Sequence, residues 1–331
     1  MNLAVIGLGR IGRIHAENLN TLTHINLVAV SDKNQVVAND LATTYGCLAL
    51  SVSEIMASKN IQGIVICSPT PTHTELIKLG SRSGKAIFCE KPIDLSISQV
   101  KKCLKFLNNF NSFLMIGFNR RFDPNFFKLK EKLSTGNLGN PEIIQIISRD
   151  PNPPTMEYTK ISGGIFKDMM IHDFDMVLYI LGEAPNSVMA YGSNLFTKFG
   201  DTKDYDTATA ILTMPGGQQV IISNSRRTTY GYDQRVEIHC SKGTIAAKNM
   251  RPSDIEIATK KGFSRPKLHE FFTSRYAEAY KIEMMAFVES FANGTQPSPT
   301  GVDGLNSLLI AEAAGKSARS GKPVKLSGLE I

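Results

Sequence analysis

"LAVIGLGRIG", residues 3–12, sets an apolar run against three glycines spaced two and three apart. Leu3–Ile6 carry no polar side chain, as in a strand buried on both faces. Gly7-Leu8-Gly9-Arg10-Ile11-Gly12 then reads GxGxxG. A glycine-rich turn alone is a weak signal, but between a strand and a helix it marks a dinucleotide site. Gly7 suits the tight turn, Gly9 lets backbone approach a pyrophosphate, and Gly12 permits close helix–strand packing. Arg10 and Ile11 open a helix whose first N–H groups and positive dipole end face the phosphates.

Asp32 closes the next apolar run, 20 residues after Gly12. A carboxylate there holds the ribose hydroxyls and repels a 2′-phosphate, which favours NAD over NADP. Lys33 beside it works the other way, since it can pair with that phosphate. The strand-like runs "INLVAVSD", "IQGIVICSP", "AIFCEKP" and "SFLMIGFN" follow, with helical stretches between them. Such alternation predicts a parallel sheet covered on both faces. Ligands of such sheets bind beyond the carboxyl ends of the strands. Ser68, Thr70 and His73 of "CSPTPTH" therefore join the expected cofactor set, as do Glu90 and Lys91 of "CEKP".

After residue 120 the rhythm changes. "EIIQIISRD", "TATAILTMPGGQQVIISNSRR" and "RVEIHCSKGTIAAKN" read as strands joined at Pro215-Gly216-Gly217 and Lys242-Gly243. These turn signals predict hairpins and a largely antiparallel second sheet. Helices are expected at about 123–134, 165–181, 275–293 and 303–319. The fold class is α/β with two domains: a Rossmann domain over 1–120 and an α+β domain with a large open sheet over 121–331. The C-terminal helix is free to pack back on the first.

The bulk figures agree. A chain of 331 residues with 42% hydrophobic and 20% charged content is that of an ordinary globular protein of about two domains. No apolar run reaches the roughly 18 residues that span a bilayer, and the N-terminus reads as a strand rather than a signal peptide. The five scattered cysteines form no CxxC pair, which suits a reducing cytoplasm. The net charge of +7 is spread over short, separated clusters, so nucleic acid is not the expected partner.

"GGIFKDMMIHDFDM", residues 163–176, concentrates charge in an apolar stretch. Asp168 and His172, four apart on a helix, would share a face, and Asp175 could share it too. Asp173 points elsewhere. An acid one turn from a histidine suits acid–base work on a hydroxyl. No further ligand is spaced for a metal, so none is expected.

GxGxxG near the start, Glu90-Lys91-Pro92 after the fifth strand and Asp168-x-x-x-His172 together resemble the Gfo/Idh/MocA oxidoreductase family over essentially the whole chain. "GFNRRFDPNF" (117–126), "SRDPNPP" (148–154) and "SPTGVDGLNSLLIAEAA" (298–314) are similar to its inositol-oxidising members. The resemblance implies NAD as cofactor and oxidation of a secondary hydroxyl of myo-inositol, or a close cyclitol, to the 2-keto product. It implies Lys91 between nicotinamide and the reacting hydroxyl, Asp168 as the acid that binds substrate and supports the relay, and His172 as general base. Arg121, Asp150 and Tyr230 or Tyr232 fall where such enzymes reach the polyol. A homotetramer packed through the open face of the second sheet is implied too. The loop 196–206 offers nothing assignable to substrate. Another sugar or cyclitol, or a regulator that binds NAD without chemistry, would share the fold. The presence of Lys91, Asp168 and His172 favours the enzyme.

Overall fold

The computed structural model describes residues 1–196 and 204–329. Two units emerge: Met1–Phe122 with Glu278–Asn306, and Asp123–Ala277 with Ser307–Ile331.

In the first unit β1 (Asn2–Ile6), α1 (Arg10–Thr21), β2 (Asn26–Ser31), α2 (Gln35–Tyr45), β3 (Leu48–Ala49), α3 (Val52–Ala57), β4 (Gly63–Ile66), α4 (His73–Arg82), β5 (Ala86–Glu90), α5 (Ile97–Leu107) and β6 (Leu114–Gly117) alternate as the sequence predicts. The strands order as β3-β2-β1-β4-β5-β6, parallel in every pairing. The direction of winding reverses between β1 and β4, which opens a crevice at their carboxyl ends. Every residue of β4 and β6 is buried, as expected of strands covered on both faces. Val5, Val30, Val65, Phe88 and Met115 share one core with Met284 and Phe287 of the 278–306 segment. Burial pushes the thiols of Cys67 and Cys89 far up and that of Cys103 to about 11. They act as small hydrophobes, and all five cysteines are free.

The second unit begins with α6 (Pro124–Ser134), whose cap Asp123 accepts from the Asn125 and Phe126 amides and also pairs with the buried Arg275. There follow β7 (Pro141–Arg149), α7 (Met156–Ser162), α8 (Gly164–Asp168), α9 (Ile171–Leu181), β8 (Ser187–Ser193), β9 (Thr207–Thr213), β10 (Gln219–Ser225), β11 (Asp233–Cys240) and β12 (Gly243–Ala247). A small hairpin, β13 (Ile257–Thr259) and β14 (Gly262–Ser264), precedes α10 (Phe272–Arg275); α11 (Ala277–Ala292), from Glu278 onward, and the start of α12 (Gly301–Ser320) belong to the first unit, and the rest of α12 with β15 (Val324–Lys325) to the second. The large sheet orders as β12-β11-β7-β10-β9-β8-β15, with β7 and β10 parallel and the other pairs antiparallel. Both expected hairpins form, β9–β10 and β11–β12. Alternation gives β9 and β10 one buried side: Val220, Ile222 and Asn224 on β10, and Ala208, Ala210 and Leu212 on β9. On the other side Met189, Ile211 and Ile221 lie in one cross-strand row.

One expected helix is two. In place of a continuous 165–181, α8 ends at Asp168 and α9 starts at Ile171. The Met170 amide reaches back five residues to Ile165, and the His172 amide bonds Met169 rather than Asp168. Asp168 and His172 therefore flank a break, and the simple four-residue helical spacing does not describe them.

Candidate active site

The glycine loop follows from its contacts. Gly7 has φ +93, and a Cβ on it would lie 2.4 Å from the Ser68 amide nitrogen. A Cβ on Gly12 would lie 1.8 Å from the Gly7 carbonyl oxygen. Gly9, by contrast, would put its Cβ into open space, with nothing within 4 Å. Gly9 is also the cap residue of α1, whose first turn has neither a side-chain cap nor an acidic residue. The loop thus presents an exposed glycine and a positive helix end, the fit a pyrophosphate requires. The Asp32 carboxylate lies beside it. Its Oδ2 accepts from the Leu8 amide at 2.7 Å and its Oδ1 from the Asn34 amide at 2.8 Å. Two of its roughly four acceptor positions are thereby used, which leaves capacity for a ribose diol. Asp32→Ser is expected to lower NAD affinity roughly 10–100-fold and to improve NADP use. Separate titrations with the two dinucleotides check this. An unchanged preference contradicts a ribose contact.

Two members of the expected cofactor set turn inward. His73 is 1% exposed, and its Nδ1 and Nε2 lie 2.8 and 2.7 Å from the carbonyl oxygens of Pro92 and Ser68. Neither ring nitrogen is left for a cofactor. The ring instead ties the backbone after β4 to that after β5, and burial holds its pKa low. The Glu90 carboxylate meets the fully buried His15 of α1 at 2.8 Å. With Glu283 these two bring three possible metal ligands within 4.8 Å of one another. Ser68 bonds Thr72 through its hydroxyl at 2.6 Å, and Thr70 opens the turn before α4.

Lys91, half-buried, follows β5 in the first unit. Arg121, expected at the polyol, is buried in the same unit and bonds Asp303 at 2.8 Å. Burial alone would raise the Asp303 carboxyl, but the Arg121 guanidinium and the Thr300 donors hold it below the usual range.

In the second unit Asp168 accepts from the Tyr158 hydroxyl at 2.8 Å, and its Oδ2 lies 3.5 Å from the Arg226 guanidinium. Asp150 is near enough that its charge also raises the Tyr158 pKa, after burial and Asp168. Tyr158, Asp168 and Arg226 therefore form one cluster. His172 stands half-buried at the start of α9. The neighbouring acids are structural. Asp173 is fully buried and accepts from Ser148 at 2.6 Å and Asn224 at 2.8 Å, which explains one charge in an apolar helix. Asp175 is also fully buried.

The two tyrosines differ. The Tyr230 hydroxyl donates to Asp233 at 2.7 Å and accepts from Arg149 at 2.9 Å. Tyr232 is 6% exposed and packs edge-on against Phe271 and Tyr276. A cavity of about 370 Å³ lies beside Tyr230, Arg149 and Arg227 and is lined by none of Lys91, Asp168 and His172. Sequence reasoning missed Tyr158, Asp204 and Arg226. The loop it found blank, 196–206, supplies Asp204, while residues 197–203 lie outside the described chain.

Residues 1–118 match an oxidoreductase family with an NAD-binding Rossmann fold, and residues 126–246 match the GFO/IDH/MocA C-terminal domain. The chain is 47% identical to inositol 2-dehydrogenase of Rhizobium meliloti (strain 1021) over 99% of both chains. It superposes on the crystal structure of a myo-inositol dehydrogenase from Corynebacterium glutamicum with TM-score 0.95 and 38% identity, covering 99% of each chain. A scyllo-inositol dehydrogenase from Lactobacillus casei, crystallised with NAD(H) and scyllo-inositol, gives TM-score 0.91 at 26% identity over 98% of each.

Proposed function

The chain belongs to the GFO/IDH/MocA oxidoreductase family, and we propose that it oxidises a secondary hydroxyl of myo-inositol, or of a close cyclitol, to the ketone with NAD as acceptor. The observation that carries this reading is the full-length 47% identity to an inositol 2-dehydrogenase, joined to the presence of Lys91, Asp168 and His172 in the sequence.

Gly7, Gly9, Gly12 and Asp32 would hold the dinucleotide, with Lys91 and the backbone around Ser68 and Thr70 lining the same crevice. Bound there, NAD supplies the hydride acceptor that turns the carbinol carbon into a carbonyl. His172 takes the hydroxyl proton as general base. The Lys91 ammonium donates a hydrogen bond to that oxygen and stabilises the charge that grows on it. Asp168 accepts from a neighbouring substrate hydroxyl and stabilises the imidazolium that forms on His172. Arg121, Asp150 and Tyr230 are proposed polyol contacts. Tyr232 is a weaker choice because its ring is spent in an aromatic cluster. The scyllo-inositol enzyme among the structural neighbours favours scyllo-inositol as a second substrate to test. The test is NADH formation over a panel of cyclitols and aldoses. Turnover with inositols above aldoses supports the reading, and no turnover with any polyol overturns it.

A homotetramer in the cytoplasm completes the proposal. Its support is the apolar outward side of the large sheet, where Tyr191, Ile211 and Ile143 are 60, 40 and 42% exposed. Light scattering at micromolar concentration is expected to give a multiple of the chain mass. A stable monomer contradicts it.

A further inference from the structure

Arg226 is 1% exposed and is among the largest fully buried side chains of the chain. A guanidinium removed from water is costly unless it is paired. Here its Nη2 lies 3.3 Å from Asp204 Oδ2 and its Nη1 3.5 Å from Asp168 Oδ2. Asp204 is itself anchored. Its Oδ1 accepts from the amides of Ile165 and Tyr205, each at 2.7 Å. Ile165 is the second residue of α8 and Asp168 the last. Asp204 therefore holds the start of that short helix directly and its end through Arg226. Gly164 makes this approach possible, because a Cβ there would lie 2.7 Å from Asp204 Oδ1. The other oxygen of Asp168 is held by the Tyr158 hydroxyl. Although 45% of Tyr158 is exposed, burial of its hydroxyl end and the Asp168 charge raise its pKa. It therefore stays a neutral donor at ordinary pH.

From this geometry we infer that Arg226 and Tyr158 are positioning residues for Asp168, with Asp204 as the anchor that fixes Arg226. The inference rests on the proposed role of Asp168 at the polyol. One carboxylate oxygen is fixed by a cation and the other by a neutral hydroxyl, so the carboxylate plane is set before substrate arrives. Orientation supplied in advance lowers the cost of reaching the reactive geometry.

The experiment uses the full-length protein with NAD saturating and myo-inositol varied. Arg226→Lys keeps the charge but loses the planar fork that spans two acids. It is expected to lower kcat/KM about 10²-fold, the scale of a small misplacement at the site, with NAD affinity unchanged. Tyr158→Phe keeps the ring and removes only the donor, and is expected to lower kcat/KM about tenfold with an unchanged melting temperature. In both, kcat falls with kcat/KM, since the effect is on the transition state. Parental kcat and KM in Tyr158→Phe and in folded Arg226→Lys overturn the inference. If Arg226→Lys does not fold, Tyr158→Phe alone decides. A parent protein inactive with every polyol overturns the functional reading, and the inference falls with it. An active parent with unaffected variants overturns the inference alone.

Discussion

His172→Ala is expected to reduce kcat with myo-inositol by about 10²–10⁴-fold, the usual contribution of a positioned general base. The alcohol proton then has no acceptor of suitable pKa, and water must take it. NAD affinity should hardly change, because the imidazole acts on the alcohol rather than on the dinucleotide. Lys91→Ala should differ: it is expected to harm both turnover and cofactor placement. Asp168→Asn keeps the shape and the hydrogen bond from Tyr158 while removing the charge that faces Arg226. It should raise KM and lower kcat together. The double variant Asp168→Asn/His172→Ala should lose much less than the product of the single losses, since residues that act as one unit are not additive. Steady-state kinetics with a separate NAD titration distinguishes these outcomes. Full activity in His172→Ala removes the base from the scheme.

The second large effect belongs to the glycine loop, where two neighbouring glycines should fail in different ways. An alanine methyl at position 12 would sit 1.8 Å from the Gly7 carbonyl oxygen, a contact no side-chain movement relieves. The loop must shift, so Gly12→Ala is expected to weaken NAD binding roughly 10²-fold or more and to lower the melting temperature. At position 9 the added methyl meets no protein atom within 4 Å. Gly9→Ala should therefore fold with parental stability and still bind NAD less tightly, because the methyl occupies the approach of the pyrophosphate. Calorimetric melting beside NAD titration checks the pair. Equal affinity in parent and Gly9→Ala would place the phosphates elsewhere.

The features legible in the sequence are those set by local chemistry. Gly7 needs a positive φ, Asp32 ends a strand at a fixed distance from Gly12, and Pro215-Gly216-Gly217 forces a chain reversal. Each is decided by neighbours in the chain. His73 turns inward because its surroundings come from two different strand ends, and only packing shows that both ring nitrogens face backbone carbonyls. The contact of Glu90 with His15, 75 residues away, is equally invisible in the sequence. The break between α8 and α9 was hidden because the apolar pattern of 165–181 is helical throughout. The tertiary hold of Asp204 on the Ile165 amide is not written in that pattern. Arg226 is the clearest case. It lies at the end of a strand stretch with nothing in the local pattern to mark it, yet it is buried between two acids. Tyr158 lies in a stretch to which the sequence pattern assigns no role, and only the fold brings its hydroxyl to Asp168.

The most direct test of the central claim follows the hydrogen itself. Myo-inositol carrying deuterium at the carbon that becomes the ketone is oxidised by the full-length protein, and the nicotinamide product is examined by mass spectrometry. Direct hydride transfer gives deuterated NADH, a 2-keto cyclitol in equal amount, and slower turnover than with the unlabelled substrate when chemistry limits the rate. Unlabelled NADH, or a cyclitol recovered unchanged, would contradict it.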